Sequence, residues 1–470
     1  MSTPQSLDQG PRIYNLFPLL VGKIPNWEVH LDRINEMGFN WIYLNPINYP
    51  GFSGSLYSIK DHFTLNSKFA VDERDAKTWN SFKEFVKIAH EKDIKIMMDL
   101  VINHTAIDAV AESKDQKIFK KSWYKKKFAL IEKRTNHIIR FFEDDEDPVI
   151  NEYPPEEFKL EKRIANPFAI DPADANKITI WGDLAELSYE GDHVDNLMNY
   201  WKKLLHFYTD LGLDGYRCDA AYKIDPEIWT DLIDYTKIMN PSAIFWAETL
   251  GCTLKECARI SDQFDFIASS SKYWDFTKEW ALEQYNSFRK LAPTISFPES
   301  HDTKRLARES DGNRELQEFR YLFACFFSAG VQIPIGYEFG FKKKLSVTDT
   351  DPSDWEEPRW DLTDKIKQIN DLKKKYLSLN QDGPMEQFEY PDLAVLLLKK
   401  QDLQEEQSMI LIYNKDWHNN HQVVIDDLKE QFEIKKDLYK ISLTGTELIY
   451  GEKGLEIELL PNGYILFHEK

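Results

Sequence analysis

Seven consecutive residues, Leu213-Asp214-Gly215-Tyr216-Arg217-Cys218-Asp219, give the strongest structural signal in this chain. Apolar residues lead into them, Gly215 interrupts the run, and a helical pattern begins at about Pro226. Arg217 and Asp219 are two residues apart, so on a strand their side chains point to the same face. The pattern is typical of the carboxyl end of a strand in a barrel of alternating strands and helices, where the chemistry of such barrels lies. Taken alone, the stretch is explained better by a structural ion pair.

The same alternation of strands and helices extends along most of the chain. Amphipathic helices are predicted at 27–37, which ends at Gly38, and at 75–91. Strand, helix and strand at this spacing indicate parallel strands joined by right-handed crossovers. The predicted strands are 13–16, 41–44, 94–101, the one ending at Asp219, 243–247, 264–267, 294–297 and 332–335. Eight such strands predict an α/β fold of the (β/α)8 TIM-barrel type.

Two regions depart from this rhythm. Residues 105–187 are charged and irregular, and a structureless loop of this length is improbable inside a compact domain, so we expect an inserted subdomain after the third strand. After about residue 380 the helical periodicity ends and short alternating segments follow, which predicts a C-terminal antiparallel β-sandwich. The expected domains are therefore the barrel over 1–104 and 188–380, the insertion over 105–187, and the β-domain over 381–470.

The overall composition excludes several classes of protein. A net charge of −20 argues against nucleic acid or an anionic membrane as partner. No apolar run is long enough to span a bilayer, and the polar start of the chain lacks the pattern of a secretory signal. The four cysteines have no CxxC spacing. We interpret them as reduced, buried thiols, which predicts a cytoplasmic protein. The oligomeric state is unknown at this stage.

Polar and charged side chains recur where other predicted strands end. Asn103 and His104 follow the third strand, Glu248 follows the fifth, and His301 and Asp302 follow the seventh. Because a barrel gathers the carboxyl ends of its strands at one rim, these side chains are expected to meet around a single pocket. The sequence therefore brings three carboxylates together, Asp219, Glu248 and Asp302, with Arg217, His104 and His301 beside them.

Three carboxylates in one pocket repel one another, so at least one pKa is expected to be raised while an adjacent arginine keeps another carboxylate ionised. Arg217 shares a face with Asp219, which favours Asp219 as the charged nucleophile. Glu248 follows the apolar run 244–247, and an apolar wall favours the protonated form that a general acid needs. Glycoside cleavage divides the work between two carboxyl groups in this way.

These segments also resemble a known family. Asp99…Asn103-His104, Gly215–Asp219, Glu248 and His301-Asp302 are similar, in this order, to the four signature regions of the α-amylase family, glycoside hydrolase family 13. The insertion resembles the family's B domain, the β-tail resembles its C domain, and residues 184–190 resemble its auxiliary fifth region. The resemblance covers nearly the whole chain. It implies a retaining enzyme that acts on an α-glucan or maltooligosaccharide, by hydrolysis or by transglycosylation.

The resemblance also implies roles for individual residues. Asp219 is expected to be the nucleophile, Glu248 the acid/base, and Asp302 the group that holds sugar hydroxyls and stabilises the transition state. Arg217 is expected to keep Asp219 charged, while His104 and His301 bind the sugar that is cleaved. Tyr57, in Gly54-Ser55-Leu56-Tyr57, matches the family's stacking tyrosine, and Asp99 matches a mainly structural position.

The sequence departs from the family at three places. Many members have Lys-His three and four positions after the nucleophile, where this chain has Tyr222 and Lys223. Both are candidates for binding the leaving-group sugar, but the histidine whose carbonyl helps to hold calcium in the family is missing. Asn103 has no clear acidic partner, so we predict no metal and no cofactor, with calcium possible but doubtful. Ser300 replaces the asparagine that often precedes the His-Asp pair, which indicates an unusual subfamily.

Two alternatives remain beside the glycosidase or transglycosylase. One is a non-catalytic relative that binds sugars or a partner protein, although a binding module has no need to keep three like charges together. The other is a phosphorylase or isomerase on the same barrel. The sequence leaves open the linkage, the chain length, and the choice between hydrolysis and transfer.

Overall fold

The computed structural model describes residues 10–111, 119–142, 153–171, 174–274, 276, 280–445, 447–450 and 454–469. Eight parallel strands form a closed barrel, in which the last strand pairs with the first. The predicted (β/α)8 barrel is therefore confirmed. Its strands are β1 Arg12–Asn15, β2 Trp41–Leu44, β3 Lys95–Leu100, β4 Gly215–Cys218, β5 Ile244–Ala247, β6 Phe266–Ala268, β7 Thr294–Ser296 and β8 Gly330–Pro334.

Alternate side chains of the strands fill the inside of the barrel. Trp41, Met97, Trp246 and other apolar residues form one buried cluster there. Gly215 allows this packing, because a Cβ atom at this position would lie 2.7 Å from the carbonyl oxygen of Ile244 and 3.1 Å from the Trp41 ring. The interior is thus a packed core, and the open space above it lies at the carboxyl ends of the strands.

The helices surround the barrel and differ in detail from the sequence prediction. The predicted helix at 27–37 is shorter, because its first part forms a 3-10 turn at Glu28–His30 and only Leu31–Glu36 is α-helical. The helix predicted at 75–91 is broken at Trp79, which has a left-handed backbone with φ 57°. The α-helices are Pro18–Val21, Leu31–Glu36, Glu73–Thr78, Asn80–Glu91, Val194–Asp210, Pro226–Met239, Leu254–Ile260, Trp280–Phe288, Leu306–Glu309, Arg314–Phe327, Thr363–Lys375 and Leu428–Gln431. None of the helices in these described ranges is long and apolar enough to cross a membrane.

The chain between β3 and β4 forms small, mainly antiparallel sheets. His104–Ala106, immediately after β3, pairs with Leu184–Glu186, so the inserted region leaves and rejoins the barrel at one place. Val110–Ala111 pairs in parallel with Phe119–Lys120, and beyond this neck stand two further antiparallel sheets. Their strands are Lys126–Glu132, Ile138–Phe141 and Phe158–Ile164 in the first, and Phe168–Asp171 and Asp174–Ile180 in the second.

The C-terminal region is an antiparallel β-structure, as predicted. Two sheets enclose a separate apolar cluster that includes Leu397, Ile412, Val423 and Phe467. The strands of the larger sheet are Met385–Phe388, Val395–Gln401, Ser408–Asn414, Leu438–Ile441, Glu447–Tyr450 and Tyr464–Glu469, and those of the smaller sheet are His421–Ile425 and Leu455–Leu459.

Candidate active site

The barrel places Asp219 and Glu248 at the ends of neighbouring strands. The backbone N–H of Glu248 donates to the carbonyl oxygen of Cys218 at 3.0 Å, which continues the pairing of β4 with β5 by one step. Asp219 follows Cys218 directly. The parallel register therefore holds the two carboxyl groups at one rim of the barrel.

Arg217 connects three carboxylates below this rim. Its Nη1 atom lies 2.8 Å from Asp99 Oδ1 and 3.0 Å from Asp219 Oδ1, and its Nη2 atom lies 3.9 Å from Asp302 Oδ2. The guanidinium is 6% exposed. Burial alone lowers the pKa of Arg217, but the surrounding groups, Asp99 foremost, raise it well above its usual value. Arg217 is thus a permanent positive charge that offsets the repulsion among the acids.

Glu248 is held by backbone donors on both sides. Its Oε2 atom accepts from the N–H of Ala220 at 3.1 Å, and its Oε1 atom accepts from the N–H of Leu250 at 3.0 Å. Burial raises the pKa of Glu248 to about 7, and the carboxylates of Asp219 and Asp302 add to this rise while Arg217 opposes it. A carboxyl group of this kind is protonated for part of the time near neutral pH, as a general acid requires.

Asp302 and His301 lie on the loop after β7. The Asp302 side chain is 53% exposed and its Oδ2 atom is 3.1 Å from Nε2 of His301. His301 is buried and its ring is parallel to that of Tyr57, with 6.0 Å between the ring centres and 8° between the planes. Burial lowers the pKa of His301, which favours a neutral ring. Asp302 is therefore the most accessible of the three acids.

Tyr57 and His104 form the wall that faces this loop. The Tyr57 hydroxyl donates to Asp99 Oδ2 at 2.7 Å and lies 2.9 Å from Nε2 of His301. His104 Nε2 lies 3.1 Å from the carbonyl oxygen of Tyr57, and burial lowers the pKa of the ring. Among the described residues, the Nδ1 atoms of His104 and His301 have no hydrogen-bond partner. Each imidazole therefore has one ring nitrogen that the described protein leaves unbonded.

Tyr222 and Lys223 lie on the turn that follows Asp219. Tyr222 is half-buried, and burial raises its pKa, with the nearby Glu248 carboxylate as the next cause. Lys223 is exposed, and its ammonium is 5.4 Å from the ring centre of Tyr222 and 6.0 Å from that of Phe168 in the inserted region. All nine residues named from the sequence thus lie on loops or strand ends at one rim, with Lys223 at its outer edge.

The sequence prediction missed Tyr43 and Asn45. The Tyr43 hydroxyl donates a short hydrogen bond to Asp99 Oδ2, and Asn45 Nδ2 donates to the Tyr57 hydroxyl at 3.0 Å. Tyr43 thus holds Asp99, which binds Arg217, and Asn45 holds Tyr57, which also bonds to Asp99. The sequence did contain a signal for both residues. Tyr43 lies two positions after the inward-facing Trp41 on β2 and so points to the same face, and Asn45 follows the end of that strand.

The departure at Ser300 has a local explanation. Ser300 Oγ accepts from the N–H of Asp302 at 3.3 Å, a turn bond that an asparagine side chain also forms. Glu299 is buried, and it pairs with Arg305 at 2.8 Å underneath the loop. These two residues shape the loop that carries Asp302 and do not face the pocket.

The described residues do not fit a calcium ion at Asn103. The Oδ1 atom of Asn103 is buried without a hydrogen-bond partner, so it is one available ligand. Calcium takes six to eight oxygen ligands, with carboxylates usually among them. In the described ranges no group of three or more His, Cys, Asp and Glu side chains is placed to hold a metal.

Comparison with known proteins gives matches over most of the chain. A family model described as the glucanotransferase domain of glycogen debranching enzyme matches residues 11–113. A cyclomaltodextrinase of Geobacillus thermopakistaniensis (strain MAS1) is 23% identical over 93% of this chain and 68% of its own length. A cyclomaltodextrinase of a Bacillus species is 22% identical over 66% of this chain and 51% of its own length. The chain therefore spans about half to two thirds of these relatives.

A solved structure matches the whole fold. The acarbose complex of an α-amylase from Geobacillus thermoleovorans superposes with a TM-score of 0.69 at 17% identity, over 98% of both chains. The chain therefore has the fold of an α-amylase. This fold agrees with the resemblance found in the sequence, which placed an insertion after β3 and a β-structure after β8.

Proposed function

We propose that this chain is a member of the α-amylase family and a retaining enzyme that cleaves or transfers α-glucosidic bonds through a covalent glycosyl-Asp219 intermediate. One observation carries the proposal: Asp219, Glu248 and Asp302 meet at one rim around Arg217, and Glu248 has a pKa raised to about 7. This arrangement supports Asp219, beside the Arg217 guanidinium, as the nucleophile and Glu248 as the proton donor that glycoside cleavage needs.

In the first step, Asp219 attacks the anomeric carbon while Glu248 gives its proton to the leaving oxygen. The bond from carbon to the leaving oxygen breaks, and a bond from carbon to an Asp219 oxygen forms. In the second step, Glu248 takes a proton from water or from a sugar hydroxyl, whose oxygen then displaces Asp219. Arg217, whose Nη1 atom lies 3.0 Å from Asp219 Oδ1, orients the nucleophile, and Asp302 binds the sugar as positive charge develops on it.

The proposed substrates are short α-glucans. Two of the relatives are cyclomaltodextrinases from two bacteria, which supports maltooligosaccharides and cyclomaltodextrins as the compounds to test. We propose a cytoplasmic enzyme, because all four cysteines are free thiols and thiols persist in reducing compartments. We also propose that the reaction needs no cofactor.

The decisive experiment compares Asp219→Asn with Asp214→Asn. Asp214 belongs to the same stretch, residues 213–219, but its carboxylate accepts a structural hydrogen bond from the N–H of Ile96 at 2.8 Å. Turnover of maltooligosaccharides is expected to fall by about four orders of magnitude in Asp219→Asn, and to stay near the wild-type rate in Asp214→Asn. Activity of Asp219→Asn within tenfold of wild type would rule out the mechanism.

A second measurement detects the intermediate itself. A 5-fluoroglycosyl fluoride, whose second step is slow, should add one sugar to the protein, and peptide mapping should place it on Asp219. Mass spectrometry of the products from maltose through maltoheptaose then reports hydrolysis and transfer. The same reactions are then run with and without phosphate. A product that forms only with phosphate would distinguish a phosphorylase from a hydrolase or a transglycosylase.

A further inference from the structure

Two of the four cysteines, Cys252 and Cys257, lie on the segment that follows Glu248 at the end of β5. Both are free thiols. Cys257 is fully buried, whereas Cys252 is half-buried and packs against the large apolar cluster to which Cys257 belongs. The sequence analysis expected four buried thiols, and Cys252 departs from that expectation. One thiol of the pair can therefore meet a small molecule from solution while the other stays behind it.

The start of a short helix brings the two thiols together. Thr253 is the N-cap of the helix Leu254–Ile260 and forms a capping box with Glu256. Thr253 Oγ1 accepts from the N–H of Glu256 at 3.2 Å, and Glu256 Oε2 accepts from the N–H of Thr253 at 2.8 Å. Cys252 directly precedes this cap, and Cys257 is the fourth residue of the helix. Side chains at these two positions often pack against each other where a helix begins.

The two thiols interact directly in this arrangement. A hydrogen bond between them is the first cause of the lowered pKa of Cys257 and of the raised pKa of Cys252. The charge of Glu248 adds to the raised pKa of Cys252, so this thiol lies within electrostatic reach of the proposed acid/base. Since a thiolate is the form that attacks a disulfide, a thiolate on Cys257 can take the proton of Cys252 as Cys252 reacts.

The turn that carries Cys252 also holds the proposed acid/base. The N–H of Leu250 donates to Glu248 Oε1 at 3.0 Å. The N–H of Cys252 donates to the carbonyl oxygen of Thr249 at 3.2 Å, which closes a turn around Leu250. Gly251 lies in this turn with φ 82°, a backbone conformation that glycine adopts readily. A displacement of Cys252 is therefore passed to the N–H group that positions Glu248.

We propose that Cys252 and Cys257 are a redox modification site, at which a low-molecular-weight disulfide such as oxidised glutathione converts the two thiols into a reversible intramolecular disulfide. Cys252 attacks the glutathione disulfide, forms a mixed disulfide with one glutathione and releases the other. Cys257 then attacks the sulfur of Cys252 and releases the second glutathione. Two protein thiols are oxidised, one glutathione disulfide is reduced, and the two thiol protons leave with the two glutathione thiols. Only the effect on activity rests on the proposed function.

The test treats the reduced full chain with oxidised glutathione, blocks the remaining thiols with iodoacetamide and digests the protein with trypsin. Trypsin cuts after Lys255, between the two cysteines, so the disulfide joins the peptides 238–255 and 256–259. Mass spectrometry is expected to find these linked peptides in wild type and to lose them after dithiothreitol. Cys257→Ser is expected to retain one glutathione on Cys252, because the second attack is missing. Cys325→Ala removes another buried free thiol and should form the linked peptides like wild type.

Oxidation of wild type is expected to lower kcat/KM for 4-nitrophenyl α-glucoside about tenfold or more, since small displacements of a catalytic group have effects of this size. Dithiothreitol should restore it, and Cys252→Ser, which lacks the accessible thiol, should not respond to the oxidant. Absence of the linked peptides from oxidised wild type overturns the inference. Linked peptides with unchanged activity would overturn the effect on Glu248. A chain that is inactive before and after oxidation contradicts the proposed function, while the linked peptides still decide the redox site.

Discussion

The backbone N–H of Ala220 donates a hydrogen bond of 3.1 Å to Oε2 of Glu248. Ala220 has φ 41° and ψ 46°, a left-handed conformation that costs a non-glycine residue about 1–2 kcal/mol. Ala220 directly follows Asp219 at the end of β4, and in this conformation its N–H points toward the carboxyl group of Glu248 at the end of β5. The two carboxyl groups proposed to share the chemistry are therefore positioned by one short piece of backbone.

Ala220→Val is expected to lower kcat at least tenfold. A β-branched side chain is strained further at positive φ, so the backbone should relax and withdraw its N–H from Glu248. Steady-state kinetics on 4-nitrophenyl α-glucoside measures the effect. Asp93→Val is the control, because Asp93 has φ 56° but lies in the turn before β3, at the other end of the barrel. It should lose stability and keep its kcat, and equal kcat losses in both variants would contradict the explanation.

The pH dependence of kcat/KM should show an alkaline limb near pH 7. Glu248 must be protonated for the first step, and its pKa of about 7 means that the active form disappears as the pH rises through that value. Since the Asp302 charge contributes to the raised pKa, Asp302→Asn should move the limb to lower pH as well as slow the reaction. A limb that stays in place in this variant would show that another group titrates.

Much of this arrangement could be predicted from the sequence. Parallel barrel strands are buried on both faces, so they appear as short apolar runs, and the polar residues at their ends share one rim. The sixth strand was predicted at 264–267 but spans Phe266–Ala268. It pairs with its neighbouring strands over very few residues, so the apolar residues beside it do not show where the strand begins or ends.

Other features could not be predicted because they depend on contacts between distant parts of the chain. The left-handed Ala220 carries no mark in the sequence, since alanine, unlike glycine, gives no hint of positive φ. The hydrogen bond from Tyr43 to Asp99 joins residues 56 positions apart. The break at Trp79 also escaped the prediction, because the amphipathic pattern of its helix continues through it.

Arg217→Lys is expected to lower kcat at least a hundredfold and to destabilise the fold by up to about 3 kcal/mol. One guanidinium reaches Asp99, Asp219 and Asp302 at once, whereas an ammonium cannot span these positions. Arg12→Lys is the matched control. Arg12, at the start of β1, is as buried as Arg217, but its Nε donates to the carbonyl oxygen of Gly38, away from the acids. Kinetics and thermal denaturation of both variants should separate loss of activity from loss of stability, and a normal kcat in Arg217→Lys would argue against the proposed role.

Removal of metal ions is expected to leave kcat and Tm unchanged. The described residues offer Asn103 Oδ1 but no acidic cluster around it. Dialysis against EDTA, followed by kinetics and calorimetry with and without added calcium, measures this. A bound metal would stabilise the fold in proportion to its affinity, so a loss of Tm that calcium restores would show that a site exists.

Lys223→Ala is expected to lower kcat/KM for maltotriose about fivefold to twentyfold and to change that for α-glucosyl fluoride less than twofold. The Lys223 ammonium lies near the Tyr222 and Phe168 rings, and Tyr222 is close to the proposed acid Glu248. Glu248 protonates the leaving group, so the leaving sugar must lie next to Glu248 and therefore near Tyr222 and Lys223. Maltotriose leaves a sugar there, whereas fluoride leaves none. Lys255→Ala, an exposed lysine on the helix Leu254–Ile260, controls for the loss of surface charge. If Lys223→Ala slowed both substrates equally, the lysine would act on the reacting sugar and not on the leaving group.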